Sequence, residues 1–532
     1  MNLWESIILE SNLPYKFFSV NNSMILWCYY TEEKVIVLEN ESILCTIEIE
    51  NGSFFYKEGM EKILIFEKYE DSTIFKSIDV NTRIIEKQIL PIFLGEIYDI
   101  VNVNDNKFVV IQSENGNFLL GVYGDNLVQR IDNIFFDFDK NYLLVDVENR
   151  KMISIQENFP FGYNLITTNR EYQVDLFDYK NDVIAIVKNK IGNFNLSLIN
   201  YQNNSLLYRS NEQGYVVDLM LTSDYVIQVI IDKAISIIKL TNLQTHQEKI
   251  IFESAYRISI ENIRDDMLIF TELGFHFVNL ICYSISKHKI TIIKLFNEKI
   301  DFKIYRINTQ EYKATILSKN INSLSDKVLI SFHGGPESVE LLDNRYGKLY
   351  SSLLKKGIDI LVFNYPGTVS FDYNYQLIPK LNWKNCVNHS LEKMLSEIGI
   401  KNRKIILIGG SFGATLALLV DNTSVSEKIV LNPLTNLNSH SQQLNENYVR
   451  WFNDMFSSKD YDYITMENIN KINKEIPIHY IIGESDEIIN HDDLLNEEIT
   501  KSKHSIYIDD GSHDGNKSER VAYIIKLLCE KR

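Results

Sequence analysis

Short apolar runs alternate with polar spacers over roughly the first 300 residues of this chain. The runs, such as those at 34–38 and 183–187, are rich in β-branched and aromatic residues. No helical period occurs between about residues 20 and 300, which predicts strands throughout. The strand groups begin near Phe18, Phe54, Ile97, Phe135, Val174, Tyr215 and Ile258. Seven groups about 40 residues apart predict a seven-bladed β-propeller; because no WD or kelch signature occurs, an array of β-sandwiches is the alternative.

From about residue 301 onward, strands alternate with helices. Helical periodicity occurs at 346–356, 386–398 and 520–531, between strand-like apolar runs. This alternation predicts an α/β domain with a mainly parallel sheet. A chain of 532 residues exceeds one ordinary domain, and we divide it into residues 1–300 and 301–532. We expect roughly the first 17 residues to be an extension that packs on the second domain.

The second domain contains a motif of the form G-x-S-x-G. An apolar run at 405–408 leads into Gly-Gly-Ser-Phe-Gly at 409–413, and a helix-favouring run follows at 415–419. Strand, sharp turn and helix are the context that a nucleophile elbow requires. There the Ser411 hydroxyl would stand above the sheet edge, where a histidine can take its proton. Taken alone, the motif is equally consistent with an ordinary βα turn.

A glycine-rich turn lies upstream of this motif. An apolar run that is predicted as a buried strand ends at His-Gly-Gly-Pro, residues 333–336. Turns of this kind expose backbone N–H groups that can hold a developing oxyanion. Gly334 and Gly335 are therefore candidate oxyanion donors, together with the N–H of Phe412. His333 either orients the turn or satisfies buried carbonyl groups.

A carboxylate and a histidine follow two later strands. Asp486 comes three residues after the glycine that ends the run 478–482, and His513 follows the run 505–508. The order Ser411, Asp486, His513 is that of α/β-hydrolases, and residues that follow parallel strands meet at one sheet edge. The rival acids are Glu484, Glu487, Asp492 and Asp493, and the rival bases are His491 and His504, of which His504 precedes its strand at the opposite edge.

Composition excludes several classes of function. The net charge of −17 argues against nucleic acid as a partner. The five cysteines are scattered and odd in number, so we predict no disulfide framework and no metal site, and expect a reducing cytoplasm. No signal peptide is visible, and charged residues interrupt the longest apolar stretch, 216–240, so we predict no membrane span. We expect no cofactor, and the sequence leaves open whether the chain forms a homo-oligomer.

Taken together, these motifs resemble those of the prolyl oligopeptidase family of serine peptidases, especially its acylaminoacyl-peptidase-like branch. The resemblance covers the whole chain, and its motifs are the turn 333–336, the elbow 409–413, the acid loop 483–486 and the turn 511–513. It implies a propeller followed by an α/β-hydrolase domain. The chain departs from the family at Pro366, where an arginine is usual, at Ala414, where a further glycine is common, and at Asn490, where proline often occurs.

The resemblance implies a serine peptidase whose propeller caps the active site and admits only short or flexible peptides. In the triad, Ser411 would attack, His513 would shuttle the proton and Asp486 would orient the imidazole. An apolar substrate pocket would be lined by Phe412, Leu434 and Leu437, for which hydrophobic core is the alternative, and His333 is a further substrate-binding candidate. Tyr448, Trp451 and Phe452 either extend this wall or pack a helix.

Two other functions remain open. Acyl chemistry on esters, thioesters or isopeptide bonds uses the same groups, so a specialised processing or cyclising enzyme for a modified peptide is the second hypothesis. The third is a propeller-based binding protein that carries an inactive hydrolase domain. An intact triad argues against it.

Overall fold

The computed structural model describes residues 15–530 with gaps. The gaps are 22–23, 31–33, 40–41, 49–51, 58–61, 69–72, 80–83, 91–95, 105–106, 115–116, 124–128, 132–140, 147–150, 158–162, 168–169, 181–182, 201–202, 265, 336–337, 378–381, 444–454, 487, 496–503 and 514–516. Most of the predicted N-terminal extension lies outside the described residues, as do Tyr448, Trp451 and Phe452.

Seven four-stranded antiparallel sheets follow one another in the described part of residues 15–297, each with its strands paired in chain order. Their strands are β1 (Tyr15–Asn21), β2 (Met24–Tyr30), β3 (Lys34–Glu39), β4 (Ser42–Glu48); β5 (Gly52–Lys57), β6 (Lys62–Lys68), β7 (Thr73–Asp79), β8 (Ile85–Leu90); β9 (Glu96–Asn104), β10 (Lys107–Glu114), β11 (Asn117–Tyr123), β12 (Gln129–Ile131); β13 (Asn141–Asp146), β14 (Lys151–Glu157), β15 (Tyr163–Thr167), β16 (Arg170–Val174); β17 (Leu176–Lys180), β18 (Val183–Lys190), β19 (Asn193–Asn200), β20 (Leu206–Gln213); β21 (Tyr215–Leu221), β22 (Tyr225–Asp232), β23 (Ile235–Asn242), β24 (Glu248–Ser254); β25 (Arg257–Arg264), β26 (Met267–Gly274), β27 (Phe277–Ser284) and β28 (Lys289–Asn297). Six sheets begin close to the predicted positions. The fourth begins at Asn141, and the predicted start near Phe135 lies outside the described residues.

Neighbouring sheets pack on one another through buried aliphatic and aromatic side chains. Phe194 and Leu196 of the fifth sheet pack with Val226 and Ile230 of the sixth. A second cluster joins the sixth and seventh sheets. Burial between adjacent sheets explains why these strands read as almost continuous apolar runs in the sequence.

The first strands of successive sheets also make a repeated polar contact. The N–H of Leu221 in β21 donates to Asp178 in β17 at 2.6 Å. One sheet later, the N–H of Ile260 in β25 donates to Asp218 in β21 at 3.0 Å. An aspartate at a corresponding place in each of these two first strands therefore ties its sheet to the next.

An eight-stranded sheet makes up the C-terminal part, in the order β29-β30-β32-β31-β33-β34-β35-β36. Its strands are β29 (Lys303–Asn308), β30 (Lys313–Ser318), β31 (Lys327–Phe332), β32 (Asp359–Asn364), β33 (Lys404–Gly410), β34 (Val425–Leu431), β35 (Ile478–Gly483) and β36 (Ser505–Asp509). β29 pairs with β30 and β30 pairs with β32, both antiparallel. The remaining neighbours in this order, from β32 through β31 to β36, pair in parallel. The parallel strands therefore direct the residues that follow them to one edge of the sheet.

Helices connect these strands. They are α1 (Leu349–Lys355), α2 (Tyr373–Leu377), α3 (Trp383–Ile398), α4 (Phe412–Leu419), α5 (Leu437–Gln443), α6 (Ser458–Tyr463), α7 (Met466–Ile472), α8 (Asp492–Leu495) and α9 (Lys517–Glu530), with a 3₁₀ turn at Ile321–Ser323. The three helical segments predicted from the sequence lie at α1, α3 and α9. The Asn382 side chain caps α3 by accepting from the N–H of Asn385. Of the helices that the structure describes, none is both long and apolar enough to cross a membrane.

The two parts of the chain touch through the segment that follows the 333–336 turn. Leu342 exchanges backbone hydrogen bonds with two turns at the seventh sheet, donating to Ala255 O before β25 at 3.3 Å and accepting from Phe275 N–H after β26 at 3.2 Å. Val339 and Leu341 pack with Ile231 of the sixth sheet. The sheets of the N-terminal part thus directly support the backbone next to the glycine-rich turn.

Candidate active site

Ser411 lies between β33, which ends at Gly410, and α4, which begins at Phe412. Its φ of 52° and ψ of −125° lie in a region that residues with a side chain rarely adopt. The surrounding backbone holds this conformation, because Ser411 N–H donates to Leu431 O at 2.8 Å and Ser411 O accepts from Thr415 N–H at 3.2 Å. Such strain is characteristic of functional positions.

The glycines on either side of the motif are required by space. A Cβ on Gly413 would overlap the carbonyl oxygens of Phe332 and His333, and one on Gly409 would overlap the backbone of Gly413. A Cβ on Gly410, by contrast, would have its nearest neighbour at 3.9 Å. The backbones of β31, β33 and α4 thus meet closely below Ser411.

We expect Gly413→Ala to lower the free energy of unfolding by about 1–3 kcal/mol or more, since its Cβ meets rigid backbone. Gly410→Ala is the matched control and should unfold close to wild type. Urea unfolding of both variants tests the difference. Equal losses in the two would contradict the close approach described above.

The glycine-rich turn lies beside the nucleophile candidate. A Cβ on Gly334 would be 3.4 Å from Ser411 Cβ and 3.1 Å from Gly410 O, so a larger residue would crowd the serine. Gly335 has a φ of 63°, which favours glycine. Pro336 lies outside the described residues.

Tyr365 and Thr368 hold this turn from the other side. The Tyr365 hydroxyl lies 2.9 Å from His333 O and 3.2 Å from Gly335 O, and donates toward them. Its ring stacks on the His333 imidazole at 4.2 Å. His333 Nε2 is 2.7 Å from Thr368 Oγ1, which itself donates to Tyr365 O. The segment around Pro366 therefore braces the turn.

His333 supports the turn rather than facing solvent. Its side chain is 0% exposed. Burial, with nearby Arg345 adding to the effect, lowers the pKa of His333 to about 3, so the ring is neutral near pH 7. These contacts favour an orienting role, and a direct contact with substrate stays a prediction.

Asp486 follows β35 and accepts hydrogen bonds on both carboxylate oxygens. Oδ1 accepts from the N–H groups of Ile488 and Ile489, each at 2.9 Å. His513 Nδ1 lies 2.9 Å from Oδ1 and 2.8 Å from Oδ2, and His491 Nε2 lies 2.9 Å from Oδ2. Burial alone would raise the pKa of Asp486, but hydrogen bonds from His491, His513 and the Ile489 N–H outweigh it and hold the pKa below its usual value.

The loop that carries His513 is fastened on two sides. Asn432, which follows β34, donates its side-chain amide to His513 O at 2.6 Å. Arg520 of α9 donates to His513 O at 3.2 Å and forms a buried, bidentate ion pair with Asp509, at 2.5 and 2.8 Å. Leu431 O accepts from Ser411 N–H, and the next residue, Asn432, donates to His513 O. Ser411 and His513 are therefore both anchored to the end of β34. Neither Asn432 nor Arg520 was identified from the sequence.

The rival groups lie elsewhere or have other partners. Glu484 is exposed, and Asp493 accepts from Ser439 Oγ at 2.6 Å. Glu487 and the side chain of Asp492 lie outside the described residues. His504 accepts from Ile478 N–H at 3.2 Å, at the beginning of β35 and so at the far edge of the sheet. The rival base His491, however, contacts Asp486 itself.

The three predicted pocket residues belong to one buried cluster. Phe412, Leu434 and Leu437 are 5%, 6% and 0% exposed. The Phe412 ring packs edge-on against Trp383 at 4.9 Å and Phe456 at 5.4 Å. This packing favours the hydrophobic-core alternative, most strongly for Leu437, while a pocket wall at Phe412 and Leu434 stays a prediction. Among the residues described, no group of three or more His, Cys, Asp or Glu could hold a metal.

A buried lysine supports the end of the nucleophile helix. Every residue of α4 is buried, so its last carbonyl groups need partners within the protein. Lys428 of β34 is 0% exposed and donates to Leu418 O at 3.2 Å and Val420 O at 2.7 Å. Burial lowers its pKa from 10.5 to about 7, although Asp421 opposes the shift.

This lysine should make folding stability depend on pH. Between about pH 7 and 10.5 the unfolded chain binds a proton that the folded protein does not, so stability rises with pH across that window. The cost of burying the charge is fully present below about pH 7. Relative to Lys428→Met, wild type should gain stability from pH 7 to 10, by urea unfolding. Lys471→Met, at an exposed position of α7, is the control and should follow wild type. If the free energies of unfolding of wild type and Lys428→Met change with pH in parallel, the expectation is wrong.

This chain is similar to one sequence family over part of its length and to several solved structures over almost all of it. The sequence model of a family described as "Alpha/beta hydrolase of unknown function (DUF1057)" matches residues 292–484. No curated protein matches the sequence. Among solved structures, a puromycin-hydrolyzing peptidase from Mycobacterium tuberculosis is 11% identical with a TM-score of 0.71, covering 98% of this chain and 94% of that chain.

Two further structures give the same result. The acylaminoacyl peptidase of Pyrococcus horikoshii is 12% identical with a TM-score of 0.71, covering 99% of this chain and 96% of that chain. Prolyl oligopeptidase B from Galerina marginata, bound to a 25mer macrocyclization substrate, is 10% identical with a TM-score of 0.64, covering 99% and 90%. Over almost its whole length, this chain therefore has the fold of the acylaminoacyl peptidases and prolyl oligopeptidases, with an α/β-hydrolase domain in its C-terminal part.

Proposed function

We propose that this protein is a serine hydrolase that cleaves short peptides through an acyl-enzyme on Ser411. The observation that carries the proposal is the contact of His513 Nδ1 with the buried Asp486 carboxylate, at 2.8–2.9 Å, together with the strained backbone of Ser411. An ordinary βα turn requires neither backbone strain at a serine nor a nearby imidazole–carboxylate pair. The nucleophile elbow of an α/β-hydrolase has the strained serine, and a Ser-His-Asp triad needs the imidazole–carboxylate pair.

In the proposed reaction, Ser411 Oγ attacks the substrate carbonyl carbon while His513 takes the hydroxyl proton. The tetrahedral intermediate collapses, and the leaving amine receives that proton from His513. Water then attacks the acyl-enzyme, with His513 again acting as base and then returning the proton to Ser411. Asp486 holds the imidazole in one tautomer and stabilises its protonated form.

The oxyanion would be held by backbone N–H groups of Phe412 and of Gly334 or Gly335. Phe412 is the first residue of α4, whose N-terminal N–H groups and dipole favour negative charge. In a trans peptide the C=O and N–H point in opposite directions. Because His333 O faces Tyr365, the Gly334 N–H faces away from Tyr365, which supports this assignment.

We further propose that the seven sheets close into a seven-bladed propeller that limits substrate size. Contacts between first strands support a ring: β17 lies against β21, β21 against β25, and β25 against β1 of the first sheet. A closed ring over the hydrolase domain would admit short or flexible peptides and exclude folded proteins. The preferred residue before the scissile bond would be apolar, because Phe412 adjoins Ser411.

A second candidate is a processing enzyme that transfers the acyl group to an amine of the same peptide. One of the similar structures, that of Galerina marginata, holds a macrocyclization substrate. The chemistry up to the acyl-enzyme is the same, and only the group that attacks it differs. A cyclised product instead of a carboxylic acid would identify this activity.

The proposed function is tested by a fluorophosphonate probe together with a peptide library. We expect covalent labelling of Ser411, cleavage of short peptides after apolar residues, and no cleavage of a stably folded protein. An apolar preference of about 10–200-fold in kcat/KM is the expected range. Absence of labelling would instead favour an inactive binding protein. Cleavage dominated by Lys or Arg would overturn the apolar pocket, and digestion of folded proteins would overturn the size filter.

A further inference from the structure

The Asp486 carboxylate contacts two imidazoles, of which the proposed triad uses only one. His513 lies 2.9 Å from Oδ1 and 2.8 Å from Oδ2, and His491 Nε2 lies 2.9 Å from Oδ2. All three side chains are buried: His513, His491 and Asp486 are 8%, 5% and 1% exposed. Water therefore screens neither contact effectively, and both imidazoles act on the same negative charge.

The backbone fixes His491 in this place. His491 O accepts from the N–H groups of Leu494 and Leu495 at 3.0 and 2.9 Å, which ties it to the start of α8. Asp486 Oδ1 is occupied by the Ile488 and Ile489 N–H groups at 2.9 Å each. The His491 N–H is thus a second donor, beside His513 Nδ1, to the carboxylate oxygen that these backbone groups leave unbound.

The geometry also fixes the proton on His491. Its Nε2 faces a carboxylate oxygen that can only accept, so Nε2 carries the hydrogen. In the neutral ring Nδ1 then has none, and within the part of the chain that the structure describes no hydrogen-bond partner lies at this buried atom. With Nε2 turned to Asp486, His491 is not placed to take a proton from Ser411.

We propose that His491 is a positioning residue that fixes the Asp486 carboxylate and shares its negative charge with His513. This inference rests on the proposed hydrolase function. A carboxylate that accepts hydrogen bonds from two imidazoles attracts each less strongly than it would attract one alone. His491 would therefore keep Asp486 from holding the imidazolium form of His513 too tightly, so that His513 stays available as a base at lower pH.

Replacing His491 leaves the other charged and titratable side chains around the cluster in place. On the neighbouring described elements these are His440 of α5, Asp493 of α8, Asp509 of β36 and Arg520 of α9, and Glu484 and Asp510 lie in the adjoining loops. Burial lowers the pKa of His440, with Asp486 opposing this shift and His513 adding to it, so His440 lies within electrostatic reach of the pair. A change in pH dependence on replacing His491 alone is then attributable to its contact with Asp486.

The test compares two replacements of His491. His491→Gln keeps an N–H donor at about the position of Nε2, and His491→Leu removes it. We expect the acid limb of the kcat/KM profile to move to higher pH by about half a unit to one unit in His491→Leu, with kcat lowered about tenfold. His491→Gln should restore the wild-type limb. His504→Leu, a loss of histidine at the far edge of the sheet, should leave the limb unchanged.

A loss of activity or thermal stability in His491→Leu with an unmoved acid limb would overturn the inference, because His491 would then contribute packing without sharing the charge of Asp486. If His491→Leu does not fold, proton NMR of the wild-type protein with ¹⁵N-labelled histidine decides. We expect far-downfield imidazole N–H signals from both His513 and His491, each identified by its loss in Asp486→Asn; the buried contact of His479 with Glu427 should give a signal that this variant keeps. Loss of only one signal in Asp486→Asn would overturn the contact. Wild-type protein that shows both signals but no fluorophosphonate labelling would refute the proposed function while leaving the contact established.

Discussion

Ser411→Ala is expected to abolish fluorophosphonate labelling and to lower kcat/KM for a peptide substrate by at least about 10⁴-fold. Removal of the hydroxyl leaves no atom in the elbow that can form the acyl-enzyme. The fold should persist, because the bonds that hold this turn are made by backbone atoms of Ser411 to Leu431 and Thr415. Labelling, hydrolysis and thermal unfolding of the purified variant measure all three expectations.

Ser426→Ala is the matched control for this experiment. Ser426 lies on β34, next to the elbow strand, but near the strand's beginning, where its hydroxyl donates to Ile405 O at 2.8 Å. The same chemical change at the far edge of the sheet should leave labelling intact. Undiminished hydrolysis by a clean preparation of Ser411→Ala would refute the assignment of the nucleophile.

Asp486→Asn and His513→Ala should each lower kcat by about 10³–10⁴-fold. In Asp486→Asn the introduced amide is isosteric with the carboxylate, but it carries no charge to stabilise the imidazolium of His513. Asp493→Asn makes the same change in the following helix, α8, at a residue bound to Ser439, and it should retain most of the activity. An Asp493→Asn enzyme as impaired as Asp486→Asn would point to the wrong acid.

The same contacts predict how acid affects folding. The pKa of Asp486 is held below its ordinary value of 3.8, so the folded protein is stabilised wherever the unfolded carboxyl is ionised. This contribution is present above about pH 4 and is lost as the pH falls through the folded value. Urea unfolding should therefore show a steeper loss of stability on acidification for wild type than for Asp486→Asn.

Local patterns were sufficient to locate the strands that lead to the candidate site. The runs ending at 332, 408 and 482 correspond to β31, β33 and β35, and the elbow lies between β33 and α4 as the spacing indicates. Strands and helices have periods of two and 3.6, and their ends have characteristic residues, such as Asn382 before α3. These signals arise within a few residues, so they can be identified in one sequence without knowledge of the sheet order.

The supports of the candidate site could not be found in the same way. Tyr365 braces the glycine-rich turn because β31 and β32 are parallel neighbours, with Phe332 paired to Phe363. In the sequence the two segments are about 30 residues apart, and nothing local indicates their pairing. The sequence did single out this segment, because Pro366 stands where the resemblance implies an arginine. It did not indicate that the segment contacts the glycine-rich turn. His491 was considered only as a rival base, because its contact with Asp486 depends on how the loop after β35 turns back.

The sequence by itself determined the two-part organisation, the strand-rich and α/β halves, and the three residues proposed as a triad, because strand periodicity, glycine placement and chain order are local or ordinal properties. Only the tertiary structure decided which side chains hold those residues: Tyr365 at the oxyanion turn, Asn432 and Arg520 at the His513 loop, and His491 at Asp486. These contacts join loops that are distant in the chain and meet only at the sheet edge. Their geometry is set by strand order and by close packing of buried polar groups, which must find partners once water is excluded.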